Sequence, residues 1–271
     1  MATFDELVAE AVEAPFSGWD FGWLDARSRI EQLPWQYADE VAARSRVAVS
    51  MLDQGTGGGE LLATIEPRPA RTVATESWPP NVPVAAGRLL PLGIPVVQCD
   101  GAPDNMTELA ASPDEGRPGR LPFRDGSFDL VINRHESFRG DEVFRVLSPG
   151  GTFVTQQVDY HSDDDLFRLL GLDLPSVPDS WLPLAVSQLS AAGLSIAHTA
   201  TAQANMFFDD IGAVVYYLKI VSWAIPGYRL EAFLPRLRAA WEARDAWPRP
   251  SAQRRFLVVA TKPALVGLDL V

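Results

Sequence analysis

Residues 47–62, VAVSMLDQGTGGGELL, set an acid and four glycines where an apolar run gives way to a helical one. Asp53 is followed by Gly55, Gly57, Gly58 and Gly59, and then by Glu60, Leu61 and Leu62. Glycines at a strand-to-helix turn let a ligand approach the backbone with no side chain in the way. Such a turn also offers amide groups at a helix N-terminus. The chemistry on offer is capture of a nucleotide-like ligand, and spacing disfavours the phosphate-binding versions of it. The dinucleotide fingerprint Gly-x-Gly-x-x-Gly, counted from Gly55 and Gly57, puts its third glycine at Glu60. A phosphate loop ending in Gly-Lys-Ser/Thr does not occur. What stands is Asp53-x-Gly55-x-Gly57-x-Gly59, with Thr56 between the first two glycines. Asp53 also has a local reading, since turns favour Asp.

Three further segments end apolar runs in polar residues. RTVATE ends at Glu76, followed by Ser77 and Trp78; VVQCDG reaches Asp100 through Cys99; FDLVINRHESF ends in Asn133, Arg134, His135 and Glu136. A carboxylate at a strand end, such as Glu76, can accept hydrogen bonds from both hydroxyls of a ribose. Trp78 has two readings, against a ligand ring or in the core. His135 also has two: a neutral imidazole that takes a proton near pH 7, or a ring that satisfies a backbone carbonyl while the group shapes a pocket. Glu136 can orient His135 or bind a substrate. Gln156 and Gln157 either reach the substrate side or flank a strand ladder. The histidines His135, His161 and His198 lie far apart and carry no metal signature. The acids of HSDDD, 161–165, read as a solvated helix N-terminus.

Periodicity supplies the elements that must position these groups. Strands are expected at 47–52, 71–76, 94–99, 128–133, 151–158, 194–202 and 255–261. Helices are expected at 3–14 and near 36–44, 58–65, 81–90, 140–147, 181–192, 209–222 and 230–244. The alternation predicts an α/β fold: a Rossmann-like, seven-stranded, mostly parallel sheet with helices on both faces. Ligands bind such sheets outside the carboxyl ends of the strands, where all the polar groups above fall. Residues 1–45 read as an N-terminal helical cap and 46–271 as the sheet domain. An exposed Pro/Gly/acid-rich insertion is expected at about 102–120, and C-terminal helices and a strand over 181–262.

Asp53-x-Gly55-x-Gly57-x-Gly59 resembles the first motif of class I S-adenosylmethionine-dependent methyltransferases. LPF…SFDLV at 121–131 and EVFRVLSPGGTFV at 142–154 are similar to later segments of that class. PFSGWDFGWL, PWQY, GTGGGE, NRHESF, TQQV and IGAVVYYLKIVSWAIPGY resemble the methyltransferase type 11-like subgroup, whose substrates are mostly unassigned. The resemblance implies S-adenosyl-L-methionine as cofactor and S-adenosyl-L-homocysteine as product. It implies that Asp53, Gly55, Thr56, Gly57, Gly59, Glu76, Ser77, Asp100, Asn133 and Arg134 surround the cofactor, with Glu76 on the ribose and Asp100 facing the adenine. It places the end of the fourth core strand beside the reactive methyl, so His135 and Glu136 become candidate catalytic groups. By the same resemblance Trp19, Asp20, Trp35 and Tyr37 form a cap over the pocket.

Bulk charge narrows the acceptor. A net charge of −12 repels nucleic acid and anionic membrane surfaces, which favours a small-molecule substrate. An RNA or protein substrate would have to use the arginine-rich stretch from Arg229 to Lys262, which also reads as a solvated surface. A third possibility is a binding protein without turnover; a nicotinamide dehydrogenase is disfavoured by Glu60. A single cysteine, Cys99, and an acidic N-terminal segment fit a reducing cytoplasm. The apolar run IGAVVYYLKIVSWAI contains Lys219 and falls short of the ~20 residues that span a bilayer. Oligomeric state is not legible.

Overall fold

The computed structural model describes residues 2–103, 119–225, 227–243 and 247–264. Most of the expected 102–120 insertion, together with Arg244, lies outside the described residues.

The strands are β1 (Ser28–Ile30), β2 (Ser50–Gln54), β3 (Arg71–Glu76), β4 (Val96–Gln98), β5 (Phe128–Arg134), β6 (Leu147–Val158), β7 (Ser195–Phe208) and β8 (Arg249–Thr261). They form one sheet in the order β1-β7-β8-β6-β5-β2-β3-β4. The pairs from β6 to β4 are parallel, while β8 runs antiparallel to both β6 and β7. The sheet therefore has eight strands rather than seven. The extra one comes from the N-terminal segment, where Ser28–Ile30 pairs antiparallel with Met206–Phe208. Three residues are too few to show an alternating pattern, so the sequence carried no signal for it. β7 and β8 also run longer than expected and pair over most of their length.

The helices are α1 (Phe4–Glu13), α2 (Tyr37–Ser45), α3 (Glu60–Thr64), α4 (Asn81–Leu89), α5 (Gly140–Val146), α6 (Asp164–Leu170), α7 (Leu182–Ala191), α8 (Ile211–Ile220) and α9 (Leu230–Glu242). One sheet face buries Leu52, Val131, Phe153, Phe256 and Val258 under α5 and α7. The other buries Met51, Ala74, Leu130, Ile132, Val154 and Leu257 under α2, α3 and α4. This two-residue alternation is the pleat at work.

A third cluster joins α1 to α8 and α9. α1 starts on a capping box: Glu6 N donates to Thr3 Oγ1 at 3.3 Å and Thr3 N donates to Glu6 Oε2 at 2.7 Å. Its Phe4, Leu7 and Ala11 pack against α8, which is buried almost all round. Lys219 is the exception. It donates to Val12 O at 2.9 Å and Ala14 O at 2.7 Å, pairing a cation with the carbonyl end of α1. No helix among the described residues is long and apolar enough to cross a membrane.

Tyr37 pins the carboxyl end of β5. Its buried hydroxyl accepts from Asn133 N at 3.1 Å and faces Asn133 O at 3.0 Å and Val154 O at 3.3 Å. Tyr37→Phe strands those backbone groups in a dry interior. The expected cost is about 1–3 kcal/mol, read as a lower urea midpoint with an unchanged denaturant slope.

Candidate functional site

The carboxyl ends of β2, β3, β4 and β5 converge on one cleft. It is lined by Gln54, Gly55, Ser77, Asp100, Gly101 and Glu136, with Cys99 beside them. The loop after β2 can take its course only with glycine at three places: Gly55, Gly57 and Gly59 have φ of 73°, 63° and 78°. Space is equally tight. A Cβ on Gly55 would fall 2.3 Å from Glu136 Cγ, and one on Gly59 would fall 2.8 Å from Leu89 Cγ.

Glu76 ties the loop to the next strand. Its Oε2 accepts from Gly57 N at 2.7 Å and its Oε1 from Trp78 N at 2.8 Å. The carboxylate is thus held rigidly, and each oxygen keeps capacity for another donor. Thr56 spends its own amide on Thr75 O at 2.9 Å, and its hydroxyl is buried near the Asp53 carboxyl. Ser77 lies against Gly101, Asp100 is exposed at the rim, and Trp78 is exposed.

Three carboxyl groups, Asp53, Glu76 and Glu136, gather at this cleft, and none makes an ion pair among the described residues, although the charge of Arg134 acts on Asp53. Burial raises the pKa of Asp53 to about 6, and the charge of Glu76 pushes the same way. Burial raises Glu136 to about 7, again with Glu76 adding to it. Glu76 itself is raised, first by burial. Gln54 is 6% exposed, and its Oε1 has no hydrogen-bond partner. An orphaned acceptor and unneutralised buried acids are costly in water-poor surroundings unless a ligand completes them. A cation carrying hydroxyl and amine donors fits these groups, and S-adenosylmethionine is such a molecule.

The N-terminal segment closes over the loop. A Cβ on Gly57 would meet Trp19 Cβ at 3.2 Å, and Gly18 faces Gly58. Phe16 and Phe21 flank Trp19 edge-on. Asp20 turns the other way and accepts from Gly22 N at 2.8 Å.

The remaining expected residues divide by position. Asn133 is fully buried and organises the strand ends, accepting from Thr155 Oγ1 at 2.9 Å and Gln157 Nε2 at 2.7 Å. Gln157 is thereby a ladder-flanking residue. His135 has a left-handed backbone, φ 60°, and its ring Nε2 lies 3.3 Å from Gln156 Nε2. Trp35 Nε1 donates to Gln156 Oε1 at 2.8 Å. The indole has only a donor, so Gln156 must turn its oxygen to Trp35 and its NH₂ to His135. His135 Nε2 therefore carries the lone pair, and the ring is neutral. Burial, then the charges of Arg255 and Arg134, hold its pKa well below the usual value.

Sequence reasoning missed a polar group on the far side of His135. Asp163 accepts from Tyr217 Oη at 2.8 Å and Ser251 Oγ at 3.0 Å, and it also bonds Gln253. Asp163 stands at the N-terminus of α6, as expected for the acids of HSDDD, but its carboxylate turns into this polar group rather than to solvent. Arg255 donates to Gln253 Oε1 at 2.8 Å. The available signal was Ser251, Gln253 and Arg255 at alternate positions leading into the apolar run of β8. The other basic residues of this stretch are dispersed: Arg238 pairs with Asp5, and Lys262 donates to Phe144 O at 2.8 Å and Leu147 O at 2.7 Å.

No protein-family model matches the chain, and no curated protein matches it by sequence. Solved structures do match in fold. A candidate methyltransferase from Bacillus halodurans C-125 is similar with a TM-score of 0.51 at 18% identity, over 84% of this chain and 97% of that one. A functionally unknown protein from Deinococcus radiodurans R1 gives 0.52 at 17% identity, over 87% and 90%. The YcgJ protein from Bacillus subtilis gives 0.50 at 19% identity, over 84% and 98%. These likenesses, all below 20% identity, show that the chain shares its fold with these proteins, one of them a candidate methyltransferase.

Proposed function

We propose that the protein transfers a methyl group from S-adenosylmethionine to a small-molecule acceptor. The observation that carries this reading is the Glu76 carboxylate. It is clamped by the Gly57 and Trp78 amides at the mouth of an acid-lined glycine loop, with spare acceptor capacity facing the cleft.

Glu76 holds the ribose hydroxyls. Asp53 and Glu136 supply negative charge for the sulfonium and ammonium groups. Ser77 and Asp100 border the adenine end, and Trp19 excludes water above the loop. When bound, the cofactor supplies an activated methyl; the chain supplies alignment and a dry site. The acceptor approaches from the β5–β6 side, where Arg134, His135 and Gln156 stand. His135 in this arrangement is a positioning group, because Gln156 already occupies the lone pair of Nε2. A proton released by an acceptor goes to Glu136, whose pKa lies near neutrality.

Calorimetry with S-adenosylmethionine, S-adenosylhomocysteine and NADH tests the reading. Micromolar binding of the first two and none of NADH is expected. Absence of binding by either adenosyl compound at millimolar concentration would overturn it. His135→Ala should leave S-adenosylhomocysteine affinity within about threefold, since the ring sits on the acceptor side.

A further inference from the structure

The pleat sorts the charges of the site onto one face. Asp53 follows Met51, Glu76 follows Ala74, Arg134 follows Ile132, Gln156 follows Val154, and Arg255 precedes Leu257, each by two residues. Those five apolar residues share a single core layer, so the polar five continue that same face. The register Arg134↔Gln156↔Leu257 and Val158↔Arg255 places the two arginines on neighbouring rows of it. The face therefore carries carboxylates on β2 and β3 and guanidinium groups on β5 and β8.

Neither cation makes a close ion pair among the described residues; Asp53 acts on Arg134 and Asp163 on Arg255 only at longer range. Arg134 is exposed and makes no hydrogen bond or ion pair among the described residues. Arg255 is half-buried and also lacks an ion pair there. It spends three N–H groups on Ser162 Oγ at 3.3 Å, Arg254 O at 2.8 Å and Gln253 Oε1 at 2.8 Å. Of the five donors of a guanidinium, Nε–H and one Nη2–H are left over. Asp163 nearby makes no ion pair with Arg255 and spends its oxygens on Tyr217, Ser251 and Gln253. A guanidinium fork held in place by its own neighbours matches a planar carboxylate.

Strand spacing decides which ligand meets it. Strands lie about 4.8 Å apart, so β5 is about 5 Å from β2, and β8 about 14 Å. A ligand gripped by Asp53 and Glu76 meets Arg134 first. Arg255 lies two strands further on, beyond β6.

We propose that the methyl acceptor carries a carboxylate, and that this carboxylate docks on Arg255. The identification of the bound group as the acceptor rests on the methyl-transfer reading; the anion site itself does not.

The test is calorimetric titration of benzoate and of its neutral counterpart benzamide. Each is titrated into protein saturated with S-adenosylhomocysteine, and into ligand-free protein. Benzoate is expected to bind at least tenfold more tightly than benzamide in both. Arg255→Met should remove that preference while leaving S-adenosylhomocysteine affinity within about twofold. Arg255→Lys, which keeps the charge, should retain part of it and guards against a folding artefact. No benzoate binding at millimolar concentration, equal binding of both compounds, or a preference that survives Arg255→Met would overturn the proposal. Failure of S-adenosylhomocysteine alone to bind would overturn the cofactor reading and leave the benzoate result on ligand-free protein to decide the anion site.

Discussion

Replacing Glu76 by alanine is expected to lower S-adenosylhomocysteine affinity by about 10²-fold or more, without unfolding the chain. Two hydrogen bonds from a ligand to a carboxylate contribute about 1.5–3 kcal/mol each, and both are lost. The variant also frees the Gly57 and Trp78 amides, which Glu76 holds at 2.7 and 2.8 Å. The glycine loop then loses the contact that fixes its distance from β3. Stability should change little, because burial already penalises this carboxylate, as its raised pKa shows. Glu76→Gln separates the two roles. It keeps the shape and one acceptor but turns an NH₂ toward a backbone N–H, so an intermediate loss is expected. Calorimetry at one pH, with thermal unfolding as the folding control, reads all three proteins. Equal affinities across them would remove Glu76 from the site.

Cofactor binding should strengthen steeply as pH rises. Asp53, pushed up to about 6, and Glu136, at about 7, are largely protonated at pH 5 in the free protein. A cation in the cleft needs both ionised. At pH 5 about one Asp53 in ten and one Glu136 in a hundred is ready, whereas at pH 8 nearly all are. If binding demands the doubly ionised form, apparent affinity rises by about 10³ across that window. The sign for stability is opposite. Carboxyl groups with raised pKa bind protons in the folded chain that the unfolded chain has released. The free protein therefore loses stability as pH climbs from about 4 to 7. Thermal midpoints should fall with pH in the free protein while the shift caused by S-adenosylhomocysteine grows. Glu136→Gln should remove the upper step of the affinity profile and leave the lower one. A flat profile would mean that these acids stay neutral around the ligand.

Much of this protein was legible in one dimension, and the reason is local. The glycines at 55, 57 and 59 must be glycines because their backbone is left-handed, a property of a few consecutive residues. Glu76, Ser77 and Asp100 were locatable because strands end where apolar alternation stops, and parallel sheets bind ligands at those ends. Lys219 inside an apolar helix also had a local signature, although its partners, the carbonyls of Val12 and Ala14, did not.

What needed the tertiary structure depended on which strands become neighbours. The eighth strand, Ser28–Ile30, exists only because β7 offers it an edge. Asn133 and Tyr37 read as ligand-side residues in sequence, and packing also makes them anchors of the β5–β6 junction. His135 has two readings in sequence, a base or a pocket-shaping ring; its lone pair is fixed by Gln156, whose orientation is fixed in turn by Trp35, 121 residues away. Arg255 and Asp163 stood out in the sequence only as members of an arginine-rich stretch and an acidic run. The approach of Arg255 to Arg134 follows from β8 running antiparallel beside β6, which sets Val158 opposite Arg255. Backbone conformation and strand ends are written in short windows of sequence. The charge pattern across the sheet is set by strand order, which arises from long-range packing that no short window contains.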